Sequence, residues 1–507
     1  MAYNTNVYFI IFLPIVIILY SIVPKRYRYI SLLVSSIVFF ALISKWLILW
    51  AYLAIIIAYT AARLIEYKRE TTSKYSTIKC IMLLGICAII AILVGLKYTN
   101  FALELIGSIT NSEISFKSIA VPIGISFYTL QAVGYVLDVY WERIKSEHNI
   151  LKLSLFILFF PTLMEGPICR YSDVMDQLFE GEAVSANSLR QGAIRIGWGL
   201  FKRMIIADRL NAVVNYFYMT EPTHQGIIVI ICAILTTIQL YAEFAGTIDI
   251  VIGSALIFNI KLPENFRQPF MAKSAAEFWR RWHITLGVWL KNYVFYPLTT
   301  SKLVKKWNKF AKKRVGKHFT KVVTSAIALF PVWLINGLWH GPKITYIAYG
   351  MYYFVILVLE IAFEPAGKAF WKKVHLKEDG FVVNAVRLLR TWIIIVLGEM
   401  LFRAESISQF IKLCGNIFTT HFEGGLLNGA LVDMGLSRED LVIALIGIII
   451  VFIGDVILEK KPDFIEKIPS LALPLRWAIY YFVIIMIVVF GAYGEAYRSV
   501  ELIYANF

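Results

Sequence analysis

Five of the seven histidines, His148, His224, His318, His375 and His421, sit in polar loops and read as solvated surface groups. The other two stand apart. His340 closes the apolar run 326–339, and His283 follows Trp279-Arg280-Arg281-Trp282. An ionisable group inside an apolar stretch is costly to keep there, which makes it a functional candidate. Imidazole titrates at about pH 6.5 when unperturbed, so near neutrality it is largely a free base. Burial disfavours the imidazolium further. Such a base suits a hydroxyl that must lose its proton while attacking an acyl carbon. Gly337 and Gly341 would let substrate or backbone approach closely. Asn336, one helical turn before His340, is placed to orient the ring or donate a hydrogen bond. On spacing alone His340 could also be a satisfied core or interfacial histidine. No H-E-x-x-H, G-x-S-x-G or P-loop pattern competes with it, and no metal site is expected.

The elements that must hold these residues are helices in a membrane. Of the 507 residues, 59% are hydrophobic and 17% are charged, with a mean hydropathy of +0.68. Soluble domains carry about a quarter charged residues. The apolar residues form continuous runs, many near the roughly 20 residues a spanning helix needs. Lipid leaves only helices or closed barrels as options, and runs without alternation select helices. Expected spans lie at 7–23, 29–44, 47–65, 79–96, 120–140, 150–165, 190–206, 226–257, 322–340, 344–364, 385–402, 440–457 and 473–493. Of these, about 11 are expected to cross fully. Pro122-Ile-Gly124 and Pro161…Gly166-Pro167 break two of them and mark candidate re-entrant elements. The chain reads as one integral-membrane domain: N-terminal helices to 117, a core at 118–404 and C-terminal helices from 405 to 507.

Charge orients these spans. No positive charge precedes the first apolar run, while Lys25, Arg26 and Arg28 come directly after it, so the N-terminus is expected outside and is not a cleavable signal. Loops 66–79, 302–321 and 368–390 are basic and read as cytoplasmic; 404–440, with Glu405, Glu423, Asp433 and Glu439, reads as exterior. The run 302–321 holds nine lysines and arginines and no acid. It fits simple positive-inside topology against anionic lipid, or a docking surface for an anionic donor or acidic carrier protein. The net charge of +16 is thereby placed at a membrane face, and nucleic acid is not an expected partner. Residues 277–298 interleave charges with aromatics and are placed at the interface or dipping into the protein.

Other polar residues lie on apolar segments: Ser126, Thr129, Gln131 and Asp138 on one, Gln239, Glu243 and Asp249 on another. They are interhelical hydrogen-bond groups or the lining of a tunnel. Five cysteines show no CxxC pairing and read as small buried hydrophobes, with Cys169 set apart by its Gly-Pro loop.

Taken in order, several motifs resemble the membrane-bound O-acyltransferase (MBOAT) family, in particular its bacterial alginate O-acetyltransferase-like branch. They are Pro122-Ile-Gly-Ile-Ser-Phe-Tyr-Thr-Leu-Gln131, Phe160-Pro-Thr-Leu-Met-Glu-Gly-Pro-Ile-Cys-Arg-Tyr171 and Gly199-Leu-Phe-Lys-Arg-Met-Ile-Ile-Ala-Asp-Arg-Leu210. Tyr241-Ala-Glu-Phe-Ala-Gly-Thr-Ile-Asp-Ile-Val-Ile-Gly253, Phe278-Trp-Arg-Arg-Trp-His283, Asn336-Gly-Leu-Trp-His-Gly341 and Leu401-Phe-Arg-Ala404 complete the series. The resemblance runs from about residue 118 to the end. It implies an all-α polytopic core around a central tunnel, with the principal histidine at His340 and the second polar position at His283. It also implies acetyl-CoA or another thioester as donor substrate, with no bound cofactor. The implied role is export of acyl groups to a cell-surface polysaccharide from the cytoplasmic membrane. An extracytoplasmic SGNH-type partner is implied to finish the transfer.

The chain departs from that branch at Pro342-Lys-Ile-Thr345, where a tryptophan is expected. It departs again at Glu243 and Ala245, where aspartate and serine are usual. Tyr346-Ile-Ala-Tyr-Gly-Met-Tyr-Tyr353 is similar to the teichoic-acid D-alanylation branch, which uses a carrier protein. The acyl group and acceptor therefore stay open. On this reading Arg280, Arg281 and the basic loop receive the donor, His340 is the base, and His283 positions a reactant or stabilises oxyanion charge. Trp282, Trp339, Tyr128, Gln131, Gln239 and Glu243 join Asn336 in lining the tunnel. A transporter of acyl or glycan units, or a scaffold for a partner enzyme, would need no base; the lack of an internal repeat argues against the transporter.

Overall fold

The computed structural model describes residues 3, 5–71, 74–110, 119–219, 224–419 and 430–493. His421 and Glu423 lie outside them. Among the described residues every regular element is a helix, as the continuous apolar runs require. Eight helical stretches are long and apolar enough to cross a bilayer. One of them, Lys25–Thr71, is two helices joined at Lys45–Leu47. The protein is inside-out by the standard of soluble domains: Ile10, Ile18, Leu49, Ile449 and Val488 are exposed, while Ser36, Thr237, Thr247 and Ser254 are buried. That distribution is what lipid selects. Some buried hydroxyls meet their hydrogen-bonding needs on their own helices, as when Thr237 donates to Ala233 O at 3.0 Å and Ser254 to Ile250 O at 2.8 Å.

The chain divides into two compact units. The first comprises Met1–Gly199, Thr247–Glu264 and Glu501–Phe507. It holds α1 (Leu13–Ile22), α2 (Arg28–Ser44), α3 (Ile48–Thr71), α4 (Tyr75–Lys97), α5 (Ile125–Tyr140), α6 (Ile150–Leu158) and α7 (Ala186–Phe201). Buried alanines at 51, 54, 58, 61 and 62 form a narrow face on α3 that allows α4 to approach. Every residue of α5 is buried. The expected span 150–165 is interrupted: α6 ends at Leu158, and 159–169 continues as buried irregular chain. Pro161 and Pro167 cannot donate the bonds a helix would need there. The Tyr3 hydroxyl, which donates to Phe160 O at 2.7 Å and accepts from Met164 N at 3.0 Å, takes up that backbone instead. Arg195 ties α7 to Asp249 at 2.6 Å and to Glu264 at 2.7 Å.

The second unit comprises Leu200–Gly246 and Asn265–Val500. It takes the first part of α8 (Ile227–Ile257), then α9 (Ala275–Arg281), α10 (Ile284–Leu290), α11 (Lys302–Arg314), α12 (Lys317–His340), α13 (Ile344–Lys373), α14 (Phe381–Arg403), α15 (Arg438–Lys460) and α16 (Leu473–Phe490). The segment expected at the interface thus becomes short helices broken at Trp282-His283. The α12–α13 hairpin is the tightest packing in this unit. A Cβ on Gly350 would sit 2.2 Å from Trp333 O, and one on Gly337 would sit 2.4 Å from Tyr346 O. Only hydrogen at both positions lets the two backbones approach this closely. Basic α11 turns Val304 and Ala311, seven residues apart, inward and leaves its lysines exposed.

Candidate active site

Both singled-out histidines fall in the second unit, and the fold brings them together. His340 is the last residue of α12 and is 5% exposed. Aromatic rings box it in: Phe402 lies at 5.1 Å and 81°, Tyr349 at 5.8 Å and 90°, and Trp339 at 5.1 Å. Trp339 also meets His283, with centroids 5.3 Å apart, so one indole contacts both imidazoles. His283 is 2% exposed, packed edge-on against Phe244 of α8 at 4.9 Å.

His283 occupies the break between α9 and α10 with φ 46° and ψ 50°. This left-handed conformation costs a non-glycine residue roughly 1–2 kcal/mol. Asn265, fully buried, holds it. Asn265 O accepts from Ile284 N at 3.0 Å, and Asn265 Oδ1 accepts from Thr285 N at 3.0 Å and Thr285 Oγ1 at 2.9 Å. The same oxygen lies 3.3 Å from His283 Nδ1. The backbone N–H of Thr285 identifies that atom as the amide oxygen, so Nδ1 carries the proton and Nε2 the lone pair. Burial, reinforced by neighbouring His340, holds the His283 imidazole well below its ordinary range, in the neutral form. The pattern of apolar runs gave no sign of Asn265. The backbone break after Trp282 is what gives it a role.

Behind His340 lies a second unforeseen group. Glu399 of α14 is 1% exposed and accepts from the Tyr349 hydroxyl at 3.1 Å. Tyr349 is therefore fixed at its hydroxyl by a carboxyl group and lies against His340 with its ring.

A cavity of about 1160 Å³ opens beside His283 and reaches Asn336, while His340 and Trp339 lie outside its lining. Ser325, Leu329, Val332, Trp333 and Asn336 line it along one face of α12, and His283, Trp279 and Arg280 line it from α9 and the break. Its far end, near the start of α12, is rimmed by Lys368, Arg387 and Arg390. Carboxylates hold these cations: Glu364 on Lys368, Glu378 on Arg387 and Glu360 on Arg390, at 3.0–3.2 Å. Arg280 is exposed in the wall and has no carboxylate partner among the described residues.

The other expected lining residues are distributed differently. Arg281 turns away into ion pairs with Glu277 at 2.8 Å and Glu459 at 2.6 Å. Trp282 is packed among Phe266, Phe278 and Tyr241. Gln239 donates to Glu243 at 2.9 Å, one turn along α8, and neither borders the cavity. Tyr128 and Gln131 belong to the first unit, buried in α5. His148, His224, His318 and His375 are outside the pair's surroundings; His318, for example, meets Ala362 O at 3.0 Å. Cys169 and Cys232 are buried, as small apolar residues would be, whereas Cys80 and Cys87 are exposed and Cys414 is half-buried.

Residues 141–403, just over half of the chain, match the membrane-bound O-acyltransferase family. The chain belongs to the MBOAT family. It is a multi-pass membrane protein and an acyltransferase, as the motif order implied. It is 31% identical to the probable alginate O-acetylase AlgI of Pseudomonas syringae over 83% of this chain and 75% of that protein. A peptidoglycan O-acetyltransferase of Helicobacter pylori is 29% identical over 66% of this chain and 63% of its own length. A teichoic acid D-alanyltransferase of Bacillus subtilis is 32% identical over 49% and 61%. The MBOAT match covers His283, Asn336 and His340, together with the whole cavity wall.

Proposed function

We propose that this MBOAT protein takes an acyl group, acetyl foremost, from a thioester donor that enters the cavity from the cytoplasmic side. It passes that group to a hydroxyl arriving from the opposite side. The observation that carries this reading is the cavity itself, which runs from a rim of lysine and arginine to the His283–Asn336 end, one helical turn short of His340. The cavity lining carries six lysines and arginines against four glutamates, a positive balance that suits the phosphates of a thioester carrier. His340 takes the proton of the acceptor hydroxyl as its oxygen forms a bond to the acyl carbon. The carbon–sulfur bond breaks, and the proton is returned to the departing thiolate. Neutral His283, with its lone pair on Nε2, accepts a hydrogen bond from the acceptor hydroxyl and positions it. It cannot donate to an oxyanion from that atom.

The acceptor is a cell-surface or exported polysaccharide, or an extracytoplasmic SGNH-type partner that completes the transfer. The similarity to alginate and peptidoglycan O-acetyltransferases supports it. A second reading, D-alanyl transfer to teichoic acid from a carrier protein, is favoured by the similarity to the D-alanyltransferase and by exposed basic α11. Both readings put the protein in the cytoplasmic membrane with its N-terminus outside. The test is release of free thiol from acetyl-CoA by purified protein in nanodiscs. His340→Ala is expected to lower release by at least about 100-fold, the scale of general base catalysis, while eluting as a folded species. Equal release by both proteins rejects His340 as the base.

A further inference from the structure

Glu399 stands out among the buried ionisable groups because the proposed chemistry gives it nothing to do. It lies on α14, 1% exposed, and borders no part of the cavity. A carboxyl group in such surroundings is costly unless it is bonded to something. Its Oε1 accepts from the Tyr349 hydroxyl of α13 at 3.1 Å. Tyr349, itself 2% exposed, sets its ring edge-on to His340, with centroids 5.8 Å apart at 90°. The hydrogen bond therefore fixes one end of a ring whose body walls the imidazole.

More of that wall comes from the same two helices. Phe402, three residues after Glu399 on α14, packs on His340 at 5.1 Å and 81°. Tyr346, three residues before Tyr349 on α13, lies 6.3 Å from it. Residues three apart share a helix face, so each helix turns one side toward His340. The three rings also hold one another: Phe402 meets Tyr346 at 4.9 Å and Tyr349 at 5.1 Å. Dispersion has little direction, so ring contacts alone let such a collar slide. A hydrogen bond has direction, and the one from Tyr349 to Glu399 ties α13 to α14 at the level of the site. The helices are close there: a Cβ on Gly398 would sit 2.5 Å from the Tyr353 hydroxyl. We infer that Glu399 is a positioning residue for His340. Through the Tyr349 hydroxyl it locks the aromatic collar that holds the imidazole in its reactive orientation. The inference rests on the reading of His340 as the base. Placement matters because an error of about 1 Å in a reacting group can cost about 100-fold in rate.

The test measures thiol release from acetyl-CoA in nanodiscs, per amount of protein that elutes folded. Glu399→Leu, which cannot accept a hydrogen bond, is expected to lower kcat about tenfold, the worth of one such bond. KM should not change, because neither Glu399 nor Tyr349 lines the cavity. Glu399→Gln accepts through its amide oxygen and should restore kcat to within about twofold. Glu399→Leu with Tyr349→Phe removes both partners, so neither is left buried and unpaired, and the fold is retained. Its kcat should match that of Glu399→Leu, because the two residues act as one unit. Losses that multiply, or a Gln variant as slow as Leu, overturn the inference. The ring resonance of His340 in protein carrying isotope-labelled histidine gives a readout independent of turnover. It is identified by its absence in His340→Ala. It should move in Glu399→Leu and stay in Glu399→Gln. A resonance that stays in both overturns the positioning. If wild type releases no thiol, the donor reading falls, while the resonance still decides the role of Glu399.

Discussion

His283 carries its left-handed backbone at a buried position. Its left-handed backbone is offset by Asn265, which receives two hydrogen bonds from Thr285 and one from the next backbone N–H. The same arrangement fixes its tautomer and thus what it can do for a substrate. Its neutrality has a consequence for stability. The folded imidazole stays unprotonated, while the unfolded chain binds a proton below about pH 6.5. The stabilisation from burying it neutral is therefore full above that value and lost as pH falls. His283→Gln, which does not titrate, should flatten the decline in melting temperature between pH 7.5 and 5. An unchanged decline would show that other groups set it. The polar residues of α8 were legible as hydrogen-bonding groups but not in their direction. Gln239 donates to Glu243 Oε2 on one helix face, which sequence spacing permits but does not require.

At the scale of elements, the α12–α13 hairpin sets the site. It places Trp333, Asn336 and His340 in line on α12 and supplies Tyr349 from α13 as a wall against His340. α14 backs that wall with Phe402 and Glu399. The close crossing depends on Gly350 and Gly337. Gly350→Ala would push a methyl into the Trp333 carbonyl and should destabilise the protein by about 1–3 kcal/mol, the usual scale of overpacking. A drop of several degrees in the detergent melting temperature checks this. The same change at Gly367, which has nothing within 4 Å of its Cβ position, is the control. α12 also carries Pro331 inside it, so one backbone bond is missing two residues before Trp333.

At the scale of the whole molecule, lipid-facing apolar surface and charge asymmetry decide orientation. α12 has 24 residues, about 36 Å at the standard rise, enough to cross roughly 30 Å of hydrocarbon. Its start adjoins basic α11, and its end carries His340. In inverted vesicles, a cysteine placed at Lys313 should react with an impermeant thiol reagent and one at Lys343 should not; right-side-out vesicles should reverse this. Labelling of both from the same side would refute the topology. A straight helix from Lys321 would end near the outer face, where a base would meet water. The aromatic box around His340 answers part of that difficulty: a residue at the end of a span is buried here by protein.

Local chemistry alone made part of this molecule legible from its residues. Continuous apolar runs require helices, prolines at 161 and 167 stop one, and an isolated imidazole after a long apolar run marks a candidate base. The order of short motifs identified the MBOAT family, because each motif preserves a local backbone or side-chain need. Which residues share a space was settled by packing between elements. It turned Arg281 into an ion pair and left Arg280 in the cavity wall, although the two are adjacent, because helical geometry separates neighbours by about 100°. It brought Asn265 under His283 and Glu399 behind Tyr349, contacts across 18 and 50 residues. Periodicity along one helix carries no record of such partners, since packing between helices is set by the shapes of both faces and not by the pattern of either one.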